Sequence, residues 1–317
     1  MRWAFQFIGA WLALCNATAG ELIVENRPCH NQLDCARGSV VSVLPIWPAN
    51  VSRSDEPEGS GIVLADGRLV ATANHVLGQA KSLFVRTLTG EVMKAEIVLR
   101  DPQSDVALLR LKRPLHSMQI AQDIMVGSPA CAIGNGFGLD ISVTCGIVSA
   151  TQMSGTGFNR IEDFVQTDAA VNPGMSGGAL VNANGHLIGM LSAIFTKNSD
   201  SNIGVNFAVS APLLGRIVDD FVQYGSLRRQ PSGLLIRPAL NREQTGVSGA
   251  LVARVDDGSP EAASGIRVGD VILFAGKRRI KRAGAYLAAL ALLEKGDSLI
   301  LDILRKGKRL KISVRYN

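Results

Sequence analysis

From Gly38 to about residue 210, apolar positions come in short runs bounded by Gly, Asp, Asn and Pro. Ser39–Leu44 is β-branched and bounded by Pro45; Ile62-Val63-Leu64 leads into the turn Ala65-Asp66-Gly67, and Leu69–Thr72 follows. Ser82–Thr87, Lys94–Leu99 and Val106–Leu111 complete one set. A second runs Ala130–Gly134, Val143–Ser149, Phe164–Thr167, Gly178–Asn182, Leu187–Leu191 and Val205–Ala208. Bounded runs at this spacing read as the strands of a sandwich or barrel. A helical period appears only at Pro212–Tyr224, where Leu213, Leu214, Ile217, Val218, Phe221 and Val222 recur at i, i+3 and i+4. The pattern predicts two small β-barrels closed by a helix over residues 37–225. Residues 20–36 read as an irregular segment.

Residues 226–232 form a linker containing Arg228-Arg229-Gln230-Pro231, and a second domain is expected over 233–317. Gly249–Val255 reads as a strand. Ser259 then caps a short helix with Pro260 at the first position. Val271–Phe274, a helix over Ala283–Leu293, and strands at Leu299–Leu304 and Leu310–Val314 complete it. The fold class is therefore mostly β, with a small α+β unit at the C-terminal end.

With 317 residues, 47% of them hydrophobic and 19% charged, the chain is globular and large enough for two domains. The formal charge of +6 is unevenly spread. Residues 1–230 carry 17 Lys+Arg and 19 Asp+Glu, a net of −2; residues 231–317 carry 16 and 8, a net of +8. The clusters Lys277–Arg282 and Arg305–Lys311 account for most of the excess. They could hold nucleic acid or an anionic membrane surface. No aromatic residues are interleaved to stack on bases, so they read as a solvated loop and a solvated strand edge, and no nucleic-acid partner is expected.

Arg2, the apolar run Ala4–Leu14 and the small-x-small site Ala17-Thr18-Ala19 read as an export signal over 1–19, cleaved near Ala19. The run is too short to span a bilayer as a helix. The chain is expected to be periplasmic or secreted. Loss of the signal removes Cys15 and leaves Cys29, Cys35, Cys131 and Cys145. An even number in an oxidising compartment suggests two disulfides. Cys29 and Cys35 would close a small loop. Cys131 and Cys145 flank the turn-rich Gly134–Gly138 and would lie nearly opposite each other across a hairpin. A zinc site lacks the usual Cys/His spacing, and neither metal nor cofactor is expected.

The chemistry centres on Asn172-Pro173-Gly174-Met175-Ser176-Gly177-Gly178. A nucleophilic serine must stand clear of the fold, with amides aimed at the oxygen that becomes negative in acyl transfer. In such a loop these are the amides of Gly174 and Ser176. Read alone, the stretch could equally be a Gly-rich turn between strands. A serine also needs a base, and the base a carboxylate. His75 ends a strand, and Asp105 lies between it and Ser176, giving the order His…Asp…Ser of the chymotrypsin class. His30 sits in the N-terminal segment, and His116 and His186 sit in polar turns as ordinary surface residues. Asp168 reads as structural.

These blocks resemble the HtrA (Deg) family of serine proteases over residues 37–317. Gly59-Ser60-Gly61 with Thr72–Val76 resembles the family's histidine block, Asp101-Pro102 with Ser104–Leu108 its aspartate block, and Gln166–Asn172 with Ser176–Leu180 its serine block. The resemblance implies a chymotrypsin-type double β-barrel followed by a PDZ domain. It implies a protease of unfolded or misfolded proteins in which Ser176 attacks, His75 carries the proton and Asp105 orients His75. It also implies a pocket walled by Leu191, Ser192 and Ala193 with Ala170 at its base, which favours small aliphatic residues before the cut. Gly249–Val255, Gly258–Ala263 and Gly269–Ile272 resemble a PDZ domain, and Gly233, Leu234, Leu235 and Ile236 would then receive C-terminal peptides. Met175 and Leu235 stand where the family usually has Asn and Gly. Family members often form trimers through N-terminal segments; here residues 20–36 are short and contain Cys29 and Cys35, so the resemblance leaves a homo-trimer open. The alternative from another class is a non-catalytic chaperone or adaptor on the same scaffold.

Overall fold

The computed structural model describes residues 31–47, 58–194, 204–239 and 249–316. The export segment, Cys29 and His30 lie outside them. Among the described residues, no helix is long and apolar enough to cross a membrane.

The first six strands are β1 (Val40–Ile46), β2 (Gly59–Leu64), β3 (Leu69–Ala73), β4 (Ser82–Arg86), β5 (Val92–Asp101) and β6 (Val106–Leu111). They close into a barrel in the order β1-β2-β3-β6-β5-β4. Strands β7 (Pro129–Gly134), β8 (Ser142–Met153), β9 (Phe164–Thr167), β10 (Ala179–Asn182), β11 (Leu187–Ile194) and β12 (Asn206–Ser210) close a second, in the order β10-β11-β12-β9-β8-β7. Closure leaves no free edge, so every strand can bury one face. Leu83, Val85, Leu109 and Leu111 fill the first barrel; Leu180, Ile188, Leu191 and Val165 fill the second.

Two local readings are corrected. Pro45 lies inside β1, not at its end. Beyond Val43, β1 pairs only with β4, so one side of the strand has no neighbour and the missing N–H of proline costs no ladder bond. The segment read as irregular carries a helix, α1 (Gln32–Gly38), whose N-cap Asn31 accepts the Asp34 amide through its side chain. Cys35 lies in it and is disulfide-bonded. Cys131 and Cys145 face each other in the β7–β8 ladder and are bridged.

Helix α2 (Asn74–Leu77) is a single turn after β3, and α3 (Ala211–Tyr224) follows β12. Ser210 caps α3, and Gly225 ends it at φ 71°, a conformation that favours glycine. Leu213, Leu214, Ile217 and Phe221 point inward, as their spacing predicts.

The C-terminal unit is a sheet in the order β13 (Leu234–Pro238), β14 (Ala250–Val255), β15 (Val271–Ala275), β17 (Ser298–Arg305), β18 (Lys308–Arg315), with β16 (Arg278–Arg279) paired to β15. Helices α4 (Pro260–Ala263) and α5 (Ala283–Ala291) pack on it. Its core holds a polar cluster: Glu261, fully buried, accepts the hydroxyls of Tyr286 (2.9 Å) and Tyr316 (3.1 Å). Burial, with the neighbouring carboxylate adding to it, pushes both phenols well above their ordinary range.

The cluster Lys277–Arg282 is not merely a solvated loop. Arg278 is buried and pairs with Asp163 of the second barrel at 2.8 Å, and Arg282 donates to the Gly155 carbonyl at 2.7 Å. Part of the cationic excess therefore joins the domains. In the second cluster Arg305 pairs with Asp270, while Lys306–Lys311 are exposed at the β17–β18 turn and on the edge strand, as expected.

Candidate active site

The site lies where the barrels meet. Strand β3 delivers the chain to Ala73, which is extended, and the turn α2 then presents His75. Strand β5 ends at Asp101, and the turn that follows presents Asp105 at φ 57°. Aspartate tolerates this left-handed conformation better than most residues. The turn is clamped from outside: Asp101 accepts from Ser104 Oγ, from the Gln103 amide and from both terminal nitrogens of Arg229, which follows α3.

The Asp105 carboxylate is held by three donors. Its Oδ1 accepts the His75 amide (2.9 Å), and its Oδ2 accepts Ser192 Oγ (2.9 Å) and faces His75 Nδ1 (2.7 Å). An ionised carboxylate only accepts, so the shared proton resides on Nδ1, and Nε2 is the ring nitrogen that can take a proton. The Asp105 side chain is 11% exposed while that of His75 is 48% exposed. The carboxylate sits in the fold, and the base faces solvent.

Ser176 is half-buried on the loop before β10. Its carbonyl accepts the Ser60 amide of β2 at 2.8 Å. Gly177 lies against Ser60 O and the Thr72–Ala73 end of β3, so close that a Cβ would stand 2.2 Å from Ser60 O; with φ at 84°, only glycine suits. This contact sets Ser176 beside the strand end that carries His75. Ser60, fully buried, also donates through Oγ to the Gly174 carbonyl and accepts the Asn135 amide, each at 2.8 Å. Phe137 donates its amide to the Pro173 carbonyl at 2.7 Å. The loop bearing the candidate oxyanion amides, Gly174 and Ser176, is thus fixed from both barrels. Met175 plugs the space beneath it, 1% exposed, its sulfur 3.4 Å from the Asn172 amide.

Ala170 is half-buried, and its carbonyl accepts Thr144 Oγ1. Leu191 is buried and joins the serine loop by backbone bonds to Gly177 and Gly178. Ser192 donates its hydroxyl to Asp105. Ala193 pairs with Phe207 in the β11–β12 ladder. Asp168 accepts the Ile147 amide at 2.7 Å, a structural contact.

A second site lies on the C-terminal unit. Leu234, Leu235 and Ile236 open on a cleft of about 600 Å³, faced by Tyr286 and Leu287 of α5 and by Arg160 of the second barrel. Gly233 turns its amide inward to Glu261 at 3.3 Å. The loop 156–159 wraps Glu162, which accepts four backbone amides and the Thr156 hydroxyl. Just beyond this loop, the Ile161 amide donates to the Gln103 carbonyl of the aspartate turn at 2.9 Å.

Comparison with known proteins agrees with this geometry. The trypsin-like peptidase domain matches residues 59–190 and the PDZ domain residues 201–315. The periplasmic serine endoprotease DegP of Escherichia coli is 38% identical over 267 residues, covering 81% of this chain and 56% of DegP. The periplasmic pH-dependent serine endoprotease DegQ of the same species is 35% identical, covering 86% and 61%. The chain thus spans little more than half the length of these curated relatives. Among solved structures, the HtrA-type protease AlgW with a tripeptide matches at a TM-score of 0.71 and 32% identity, covering 90% of this chain and 95% of AlgW. The serine endoprotease from Yersinia pestis matches at 0.60 and 28%, with the same coverage. With a trypsin-like peptidase domain followed by a PDZ domain, and with likeness to an HtrA-type protease over 90% of its length, the chain belongs to the HtrA family of trypsin-like serine proteases.

Proposed function

We propose that this chain is an exported serine endopeptidase of unfolded or misfolded polypeptides. Ser176 Oγ attacks the scissile carbonyl carbon while its proton passes to His75 Nε2. The oxyanion is held by the amides of Gly174 and Ser176. His75 then returns the proton to the leaving amine, and water attacks the acyl-enzyme by the same route in reverse order. The observation that carries the reading is the His75–Asp105 pair, 2.7 Å apart with the carboxylate fixed by two further donors, beside a serine loop pinned to the same strand end.

With Ala170 at the pocket base and no acidic residue there, cleavage follows Val, Ala or Leu rather than Arg or Lys. The cleft along Leu234–Ile236 takes the C-termini of polypeptides and regulates or feeds the protease. The working boundaries are a signal over 1–19, a segment over 20–36, the protease over 37–225, a linker over 226–232 and a PDZ domain over 233–317. Location in the periplasm and a homo-trimer complete the proposal; fractionation of cells and light scattering of the mature protein test these two.

The central test is digestion of unfolded casein by the mature protein beside Ser176→Ala, with the fragments identified by mass spectrometry. Cleavage by the parent alone, after small aliphatic residues, supports both nucleophile and pocket. No cleavage by either, with or without added C-terminal peptides, overturns the reading in favour of a non-catalytic binder.

A further inference from the structure

The first barrel carries a cleft of about 680 Å³ away from the catalytic pair. Five cations line it, Arg68, Lys81, Lys94, Arg110 and Lys112, with Glu96 as the one acid. Its place follows from the strands. Arg68 precedes β3, whose other end leads to His75, and Lys112 follows β6, which begins beside Asp105. At roughly 3.3 Å per residue, strands of five and six residues set the cleft about 15–20 Å from that pair.

The charge here is unusual in its setting. Residues 1–230 are net −2, yet five of their 17 cations converge on one concavity. Elsewhere in residues 31–230, Arg37, Arg86, Arg113, Arg216 and Arg229 each pair with an acid, whereas Arg100 donates to the Gly78 carbonyl and Arg228 lies over the Tyr224 ring. Among the described residues, none of the five cleft cations has an acidic partner within 4.0 Å. Two are held in place by other means: Arg68 donates to the Lys112 carbonyl at 2.7 Å, and Arg110 lies over the Phe221 ring of α3 at 5.6 Å. The register across the outer face sets Glu96 opposite Arg110, while the neighbouring Leu83, Ala95 and Leu111 turn inward and are buried in the barrel.

We propose that this cleft is an exosite for an acidic, extended stretch of polypeptide, an inference that rests on the reading of the chain as a peptidase of unfolded substrates. A phosphate-bearing ligand fits less well. The strands β4, β5 and β6 spend their amides in a closed barrel, so the cleft offers neither a helix N-terminus nor a nest of amides. It has no aromatic lining on which bases could stack. A flat anionic membrane fits less well still, since the charge lies in a concavity. An extended acidic segment can lie along the concavity and place several carboxylates on its cations. Such a site holds one part of an unfolded chain while another part enters between the barrels.

The test uses the full mature chain carrying Ser176→Ala, so that binding is read without cleavage. Anisotropy is followed with a fluorescein-labelled Glu-Gly repeat peptide and with its Gln-Gly counterpart. The Glu peptide should bind about tenfold or more tightly, and the difference should shrink as salt rises from about 0.01 to about 0.15 M, where the Debye length falls from ~30 to ~8 Å. Lys94→Glu with Lys112→Glu should weaken it at least about tenfold. Lys306→Glu with Lys308→Glu, an equal charge change on the C-terminal hairpin, should leave it within about twofold. A Lys94→Gln, Lys112→Gln form, judged folded by an unchanged rate on a short neutral peptide with Ser176 restored, repeats the test if charge reversal disturbs the barrel. Equal binding by parent and cleft variants overturns the proposal, as does loss on the hairpin variant alone. Displacement by linear polyphosphate at far lower charge-matched concentration than by poly-glutamate also overturns it and gives the cleft to phosphate. Failure of casein cleavage would leave these binding results untouched, so the two readings fail separately.

Discussion

Ser60→Ala removes a single oxygen from the first barrel, yet the loss should be read in the second. Ser60 Oγ donates to the Gly174 carbonyl and accepts the Asn135 amide, each at 2.8 Å, and Ser60 is fully buried. Alanine leaves both groups without that partner. Each orphaned buried group costs roughly 1–3 kcal/mol. Relaxation of the loop recovers part of this, so a net of about 3 kcal/mol against the ordered oxyanion loop is reasonable. The loop yields before the barrels do, because its peptide planes can turn without breaking a strand ladder. A penalty of that size lowers kcat by roughly 100-fold. KM for a short peptide should move little, since Asp105, His75 and the pocket are untouched. The assay is steady-state cleavage of a short fluorogenic peptide, with thermal unfolding measured alongside. Activity within about threefold of the parent would refute the argument that Ser60 holds the oxyanion loop.

Ser192→Ala removes one of three donors to Asp105 and should lower kcat/KM about tenfold, near the value of one hydrogen bond to a charged group; stopped-point peptide assays with unchanged KM would check it. Replacing Cys131 and Cys145 together by Ser opens a bridge with a sequence separation of 14 and should cost about 3 kcal/mol by chain entropy, read as a lower denaturant midpoint with activity retained below it. Tyr286 and Tyr316 have raised pKa values, so they bind protons more tightly folded than unfolded. Their stabilisation is complete below the unfolded phenol pKa near ~10 and is lost above it, by about 1 kcal/mol each between pH ~10 and ~11. The C-terminal unit should therefore unfold first in alkali, and Tyr286→Phe should flatten that slope in urea titrations from pH ~9 to ~11.

The barrels were legible because their signal is local. Short bounded runs and the period of Pro212–Tyr224 depend on neighbours in sequence, and the blocks around His75, Asp105 and Ser176 keep their order along the chain. The supports of the site were not legible. Ser60 reaches Gly174 across 114 positions and Ser192 reaches Asp105 across 87. Nothing in a serine beside a glycine marks it as the residue that joins two barrels. Arg278 was hidden among like charges, since a run of Lys and Arg does not reveal which one is desolvated. Helix α1 escaped because its one polar cap, Asn31, lies in a stretch with no helical period.

The junction at Asp163 bears on how freely the C-terminal unit could be exchanged. One carboxylate accepts Ser210 Oγ, the N-cap of α3, at 2.7 Å and also pairs with Arg278 of the following domain. The cap of the protease's closing helix and the orientation of the PDZ domain therefore share an atom group. A foreign PDZ domain grafted after the linker would bring its own fold but not a cation at this point. It would leave a carboxylate 3% exposed without its counter-charge, a loss of the order of 3–5 kcal/mol for a broken buried pair unless the new domain let water in. The two domains are separate in topology but not independent as parts.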